Sequence, residues 1–211
     1  MAARSLRIVI LAIVAFAGGL LIARAIMPSR DALPQTERAT LLSEPRPLPA
    51  LELVNQDGRP LGADFFKDHW TIVFFGFTSC PDICPTTLVT LSQATRELAD
   101  LPPAERPRVM LVSVDPDRDD PPRLSAYVRF YDPAFLGATG APAAVAATAA
   151  AFGVPYAKVS VPEGGYTMDH GSGIFVVGPS GGIVAYSSAP HDASTIARDY
   201  RKVLAFEGAG S

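Results

Sequence analysis

The sequence predicts an α/β domain in which strand–helix–strand units are followed by an antiparallel hairpin and a closing helix. Uninterrupted apolar runs such as residues 71–77 and 109–114 are typical of buried strands in a parallel sheet. Stretches with apolar residues at helical spacing follow them. With 48% hydrophobic and 18% charged residues, the 211-residue chain has the composition of a globular protein. Its net charge of −3 lacks the basic footprint expected of a nucleic-acid-binding protein.

The first 27 residues are predicted to form a membrane anchor. Arg4 and Arg7 precede an uncharged run over residues 8–23, as in a signal peptide or an uncleaved signal anchor. The anchor is favoured because Arg24 interrupts the small-residue pattern of a cleavage site. Residues 28–50 contain five prolines and are predicted to be a semi-extended linker. We expect the folded domain to span residues 51–205, and residues 206–211 to be a flexible tail.

Along the domain, the patterns predict strands and helices in alternation. A short strand at residues 51–54 leads into a turn at 55–58, and the buried strand 71–77 leads into a helix over about 85–101. The strand 109–114, helices over 123–130 and 141–152, a hairpin of 174–177 with 183–186, and a helix over 192–204 complete the series. This order predicts a thioredoxin-like sandwich, a central mixed sheet flanked by helices.

Cys80 and Cys84 are the only cysteines, and they lie in the first strand-to-helix turn, where such a sheet displays its chemistry. A disulfide closing so short a loop stabilises little, so redox or metal chemistry is the better interpretation. On a regular helix their Cβ atoms would be roughly 5–6 Å apart, and a disulfide needs about 3.5–4.5 Å. Two thiolates at this spacing can converge on one soft metal ion such as Cu(I). The helix start is expected to lower the thiol pKa.

A third ligand is predicted to be an imidazole, and the chain offers three histidines. His170 shortly precedes the hairpin strand 174–177, and in the predicted fold the loop entering that strand lies beside the cysteine turn. His170 is therefore the predicted ligand. His69 is interpreted as a surface residue and His191 as a cap or surface residue. Met168 is expected to fill the core rather than to act as an auxiliary ligand.

An acidic cluster follows the second buried strand: Asp115, Asp117, Asp119 and Asp120. It could hold a hard cation, tune the thiols or face a partner, and the simplest interpretation is that it caps the next helix in contact with water. A calcium site is disfavoured because the glycine spacing of a calcium-binding loop is missing. Asp82, between the cysteines, could modulate the charge of a metal or be merely exposed.

Three segments resemble the signatures of the Sco/SenC copper-protein family: residues 76–88, residues 113–119, and Asp169-His170 before the hairpin. The resemblance covers about residues 51–204. It implies a thioredoxin-like domain held by an N-terminal anchor on the periplasmic side of the bacterial inner membrane. It also implies that Cys80, Cys84 and His170 bind copper as Cu(I) or Cu(II). Gly178-Pro179 departs from the Asp-Pro more common in relatives, and no effect on the metal is expected.

The resemblance further implies a role in assembling the CuA site of cytochrome c oxidase subunit II, which would be the main partner. Other periplasmic copper chaperones or thiol reductants are further expected partners. Family members act as copper donors, as thiol reductants of the target cysteines or as redox responders, so whether this chain is an enzyme stays open. The Cys-x-x-x-Cys spacing is wider than that of most thiol–disulfide oxidoreductases, which favours a copper chaperone over a general reductase. A peroxiredoxin is ranked last because its Pro-x-x-x-Thr-x-x-Cys pattern fails at both cysteines.

Overall fold

The computed structural model describes residues 15–19, 33–62, 64–162 and 164–209. The chain divides into two units, Met1–Leu33 and Pro34–Ser211. In the first unit, residues 15–19 are helical. The other residues of the predicted anchor lie outside the described ranges. Within those ranges, no helix combines the length and the apolar character that crossing a membrane requires.

The second unit alternates strands and helices, as the sequence predicts. Its described strands are β1 (Ala39–Pro47), β2 (Val54–Asn55), β3 (Thr71–Gly76), β4 (Arg108–Ser113), β5 (Leu136–Thr139), β6 (Tyr156–Ser160), β7 (Tyr166–His170), β8 (Ile174–Val177) and β9 (Gly182–Ser187). Its described helices are α1 (Ile83–Glu97), α2 (Pro121–Tyr131), α3 (Pro142–Phe152) and α4 (Ala193–Ala209), with a 3₁₀ turn at Pro103–Glu105.

A seven-stranded mixed sheet in the order β1-β9-β8-β3-β4-β5-β2 organises this unit. Strands β3, β4 and β5 run parallel to one another, and β3 pairs with β8 antiparallel. All six residues of β3 are buried, as expected for a continuous apolar strand at the centre of such a sheet. The predicted α/β fold with a mixed central sheet is therefore confirmed. Strands β6 and β7 form a separate two-stranded ladder.

The structure differs from the predicted linker over β1, which pairs antiparallel with β9 at the edge of the sheet. Its prolines are tolerated because an edge strand leaves one side of its backbone unpaired. Asp199 of α4 fixes the entry to β1, since its carboxylate accepts the backbone N–H groups of Glu37, Arg38 and Ala39 at 2.8, 2.9 and 2.9 Å. At the other end, α4 continues to Ala209, into the predicted tail.

The topology brings the predicted site residues to one edge of the sheet. Because β3 and β4 are parallel neighbours, the cysteine turn after β3 and the acidic loop after β4 leave the sheet side by side. Strand β7 ends at His170, shortly before β8 pairs with β3. The candidate site is therefore assembled at the carboxyl ends of the central strands β3 and β4.

Candidate metal centre

The cysteine turn places the two sulfurs in different surroundings. Helix α1 begins at Ile83, so Cys80 precedes the helix and Cys84 lies in its first turn. The cap residue Asp82 is exposed and makes no side-chain capping bond. Instead, the backbone N–H of Cys84 donates to Sγ of Cys80 at 3.4 Å. The sulfur of Cys80 thereby satisfies one of the helix N–H groups that has no acceptor within the helix.

Cys84 is fully buried, at 0% exposure, whereas Cys80 is half-buried. Burial raises the pKa of the Cys84 thiol well above its ordinary value, and a backbone hydrogen bond with Phe77 opposes this only in part. The expectation that the helix start lowers the thiol pKa is therefore wrong for Cys84, because removal from water outweighs the helix dipole. A metal ion that binds this sulfur must displace its proton.

His170 faces Cys84 from the end of β7. Its Nε2 atom lies 3.7 Å from Sγ of Cys84, and its Nδ1 atom lies 3.0 Å from the carbonyl oxygen of Gly171. With Nδ1–H donating to that carbonyl, Nε2 carries the lone pair and points at the sulfur. The ring packs edge-on against Phe74 and Phe77. Burial lowers the pKa of His170, so the imidazole is neutral and suited to bind a metal.

The structure thus brings all three predicted ligands together, Cys80 with Cys84 and Cys84 with His170. Throughout the described ranges, however, no group of three or more His, Cys, Asp and Glu side chains already stands in a metal-holding arrangement. Binding would therefore require the donor atoms to close around the ion. Two sulfurs and one imidazole form a donor set that suits copper or another soft or borderline metal and does not suit a hard cation. Met168 is buried, as predicted, and packs in the core.

Asp119 supports the cysteine turn from the acidic loop. Its carboxylate is 0% exposed and accepts the Thr78 N–H at 2.9 Å, the Thr78 hydroxyl at 2.5 Å and the Ser113 hydroxyl at 2.7 Å. Thr78 stands two residues before Cys80, so Asp119 holds the backbone on which that thiol is carried. The expected helix cap is Asp120, which accepts the Arg123 N–H at 2.8 Å.

Asp115 supports the strand that carries His170. It is 1% exposed, accepts the Tyr166 hydroxyl at 2.8 Å and pairs with Arg118. Arg118 also donates to the Tyr166 carbonyl at 3.0 Å and lies over its ring at 3.9 Å. Asp115 and Asp119 are both engaged by protein donors, which argues against the alternative of a hard-cation site. Tyr166 and Arg118 were not identified from the sequence, although an arginine within the acidic segment was an available signal.

The other two histidines lie apart from this centre. His69 is exposed, as predicted. His191 is half-buried, and its Nε2 lies 2.7 Å from the carbonyl oxygen of Ser172. The cap of α4 is Asp192, which accepts the Thr195 N–H at 2.9 Å. The prediction of His191 as a cap or surface residue is therefore wrong, since its side chain is directed inward to the loop that follows His170.

Comparisons with known proteins identify a family to which the chain is similar. Residues 43–205 match the SCO1/SenC family model. A candidate copper-binding protein of Stutzerimonas stutzeri is 38% identical over 163 residues, which cover 76% of this chain and 78% of that protein. The copper-bound structure of Arabidopsis thaliana ScoI is 27% identical with a TM-score of 0.69, over 75% of this chain and 98% of that one. Copper-bound Bradyrhizobium japonicum ScoI is 31% identical with a TM-score of 0.66, over 75% and 99%.

Some relatives are longer than this chain. The match spans 47% of the mitochondrial SCO1 homolog 1 of Arabidopsis thaliana and 60% of the mitochondrial SCO2 homolog of Mus musculus, at 31% and 32% identity. A structure of BsSco, a Sco-family cytochrome c oxidase assembly protein with a disulfide switch, is 23% identical with a TM-score of 0.58, over 79% of this chain and 96% of that one. That likeness concerns the fold.

Proposed function

Because this chain belongs to the SCO1/SenC family, we propose that it is a copper metallochaperone for the CuA site of cytochrome c oxidase subunit II. It binds one copper ion through Cys80, Cys84 and His170. The observation that carries the proposal is the distance of 3.7 Å between His170 Nε2 and Cys84 Sγ. Cys80 Sγ is held close by, because it accepts a hydrogen bond from the Cys84 N–H. The resemblance of the three motifs to the Sco family supports the oxidase as the target.

The unequal exposure of the two thiols suits a protein that must release its cargo. Cys84 is buried, whereas His170 and Cys80 are half-buried, and Cys80 lies in the turn before the helix begins. An incoming thiolate of the target can therefore reach a bound copper ion from the Cys80 side. Ile83, the first residue of α1, has a side chain that is 51% exposed and offers the target an apolar contact. Copper here is a cargo, bound by displacing thiol protons and passed on by ligand exchange.

Anaerobic Cu(I) titration of the purified protein tests the ligand set. The proposal predicts one copper per chain, with large losses of affinity in Cys80→Ser, Cys84→Ser and His170→Ala. A variant of the exposed histidine, His69→Ala, serves as the matched control and is expected to bind like the unmodified protein. A Cys80→Ser protein with unchanged copper affinity would contradict the proposal.

A dedicated thiol–disulfide reductase is the second candidate, favoured by the pairing of a half-buried Cys80 with a fully buried Cys84. The Cys80 thiolate would attack the disulfide of the oxidase subunit and release one target thiolate. The Cys84 thiolate would then displace the second, so that two electrons pass to the target and a Cys80–Cys84 disulfide forms. Thiols counted before and after incubation with the subunit II domain separate the candidates. Copper transfer with the donor thiols still reduced supports the chaperone, and consumed thiols without copper support the reductase.

For the location, we propose the periplasmic side of the bacterial inner membrane, with residues 1–27 as the anchor. The uncharged run between Arg7 and Arg24 supports this proposal. Protease added to spheroplasts is expected to digest the domain while cytoplasmic proteins stay intact. Protection of the domain in intact spheroplasts would contradict the location.

A further inference from the structure

We propose that His191 is a positioning residue for the copper site, which holds His170 in register with Cys84 through one hydrogen bond to the loop after His170. This inference rests on the proposed copper-binding function. His191 is 21 residues beyond His170 in the chain, and among the described contacts it touches the site through the backbone of Ser172. It therefore acts through the loop rather than on the metal.

The loop of residues 171–173 determines how His170 presents its nitrogen. The Gly171 carbonyl accepts from Nδ1–H of His170 at 3.0 Å, which leaves Nε2 facing Cys84. The Gly171 N–H donates to the Pro155 carbonyl at 3.0 Å, which fixes one side of the loop. The bond from His191 Nε2–H to the Ser172 carbonyl, at 2.7 Å, fixes the other. The carbonyl that orients the His170 ring thus belongs to a peptide held from both sides.

The hydrogen bond from His191 starts next to the beginning of helix α4. His191 directly precedes Asp192, the residue that caps α4. Helix α4 is in turn tied to α1, because the Ser194 hydroxyl donates to the Glu97 carboxylate at 2.9 Å and Arg201 donates to the Glu97 carbonyl at 3.0 Å. Helix α1 carries Cys84 in its first turn. His191 therefore connects the loop after His170, through α4, to the helix that contains Cys84.

The environment of the His191 ring indicates that this one bond is the reason for a histidine here. Its Nδ1 atom is buried and has no hydrogen-bond partner among the described residues. A buried polar atom without a partner is destabilising, so an apolar side chain would suit the packing better. Among the described residues, the hydrogen bond to Ser172 is the one that the ring makes, and it offsets this cost. Burial also lowers the pKa of His191, which keeps the ring neutral with its single proton on Nε2.

A double-mutant cycle on copper affinity tests the proposal, measured by competition with a chromophoric Cu(I) chelator on the full chain. His191→Leu fills the space without a donor, and His191→Gln keeps an N–H at about the position of Nε2. Loss of a residue that orients a metal-binding histidine typically weakens affinity by about 10–100-fold. We expect His191→Leu to weaken binding about tenfold and His191→Gln to stay within about threefold of the unmodified protein. The exposed histidine variant His69→Gln is the matched control and should have no effect.

The decisive arm combines His191→Leu with His170→Ala. If His191 acts by orienting His170, its loss has no further effect, less than about twofold, once His170 is gone. Equal weakening in both backgrounds, or no weakening by His191→Leu alone, would overturn the positioning role while leaving the copper site intact. Unchanged affinity in His170→Ala would instead overturn the proposed site itself. If His191→Leu does not fold, the same cycle with His191→Met decides, because methionine also lacks an N–H donor and adapts to irregular space.

Discussion

Replacing Asp119 with alanine should destabilise the protein through the backbone that leads to Cys80. The carboxylate serves three donors, the Thr78 N–H, the Thr78 hydroxyl and the Ser113 hydroxyl. The hydroxyls can rotate to other acceptors, but the Thr78 N–H cannot, and one buried donor left unsatisfied costs about 1–3 kcal/mol. Adding the space left by the carboxylate, we expect Asp119→Ala to lower the free energy of unfolding by about 3–5 kcal/mol. Urea denaturation of the apo protein measures this change.

Asp117 provides the control, because it stands in the same loop but is exposed. Its ion pair with Lys158, at 2.6 Å, joins two side chains that are about half accessible to water. Such a pair contributes about 0–1 kcal/mol, so Asp117→Ala should change the free energy of unfolding by less than 1 kcal/mol. Equal effects of the two substitutions would refute the assignment of Asp119 as the support of the cysteine turn. The more conservative Asp119→Asn should fold and should bind copper more weakly, since the backbone before Cys80 is less firmly held.

Two further predictions concern the packing and the edge strand. Gly76→Ala places a Cβ 2.8 Å from Cys84 Sγ. This substitution should lower the free energy of unfolding by about 1–3 kcal/mol and weaken copper binding. The control Gly62→Ala, with no neighbour within 4 Å, should do neither, and equal denaturation midpoints for the two variants would refute the contact. Asp199→Asn should lower the free energy of unfolding by about 2–4 kcal/mol at pH 7. Although burial opposes it, the three N–H groups of residues 37–39 lower the pKa of Asp199. Its stabilisation is therefore full above the unfolded pKa of about 3.9 and is lost as the pH falls through the lower folded value. If Asp199→Asn destabilises the protein by the same amount below the folded pKa of Asp199 as at pH 7, the prediction is contradicted.

The parts of the fold that the sequence predicts are those in which local pattern and final packing agree. The apolar runs of β3 and β4 and the helical spacing of α1 each indicate their element, because those strands are buried on both faces and that helix on one. Strand β1 was not predicted, since its segment contains prolines and charged residues. It exists because β9 and the Asp199 carboxylate bind its backbone, and such long-range contacts leave no local periodicity in the sequence.

The candidate site divides in the same way. Residue type and motif were enough to single out Cys80, Cys84 and His170, because the capacity of sulfur and imidazole to bind a metal follows from the type of side chain alone. The surroundings of these residues were not predictable. The high pKa of Cys84 comes from burial, which the expected helix-start effect did not include. The inward bond of His191 depends on the path of the loop after His170, which only the three-dimensional structure shows.

The most direct test of the central claim is X-ray absorption at the copper edge, comparing the Cu(I)-loaded protein with its His170→Ala variant. The proposal predicts two sulfur neighbours and one nitrogen neighbour around the ion in the unmodified protein, and loss of the nitrogen in the variant. Identical spectra, or a copper ion without a nitrogen neighbour in the unmodified protein, would contradict the assignment of Cys80, Cys84 and His170 as the copper site.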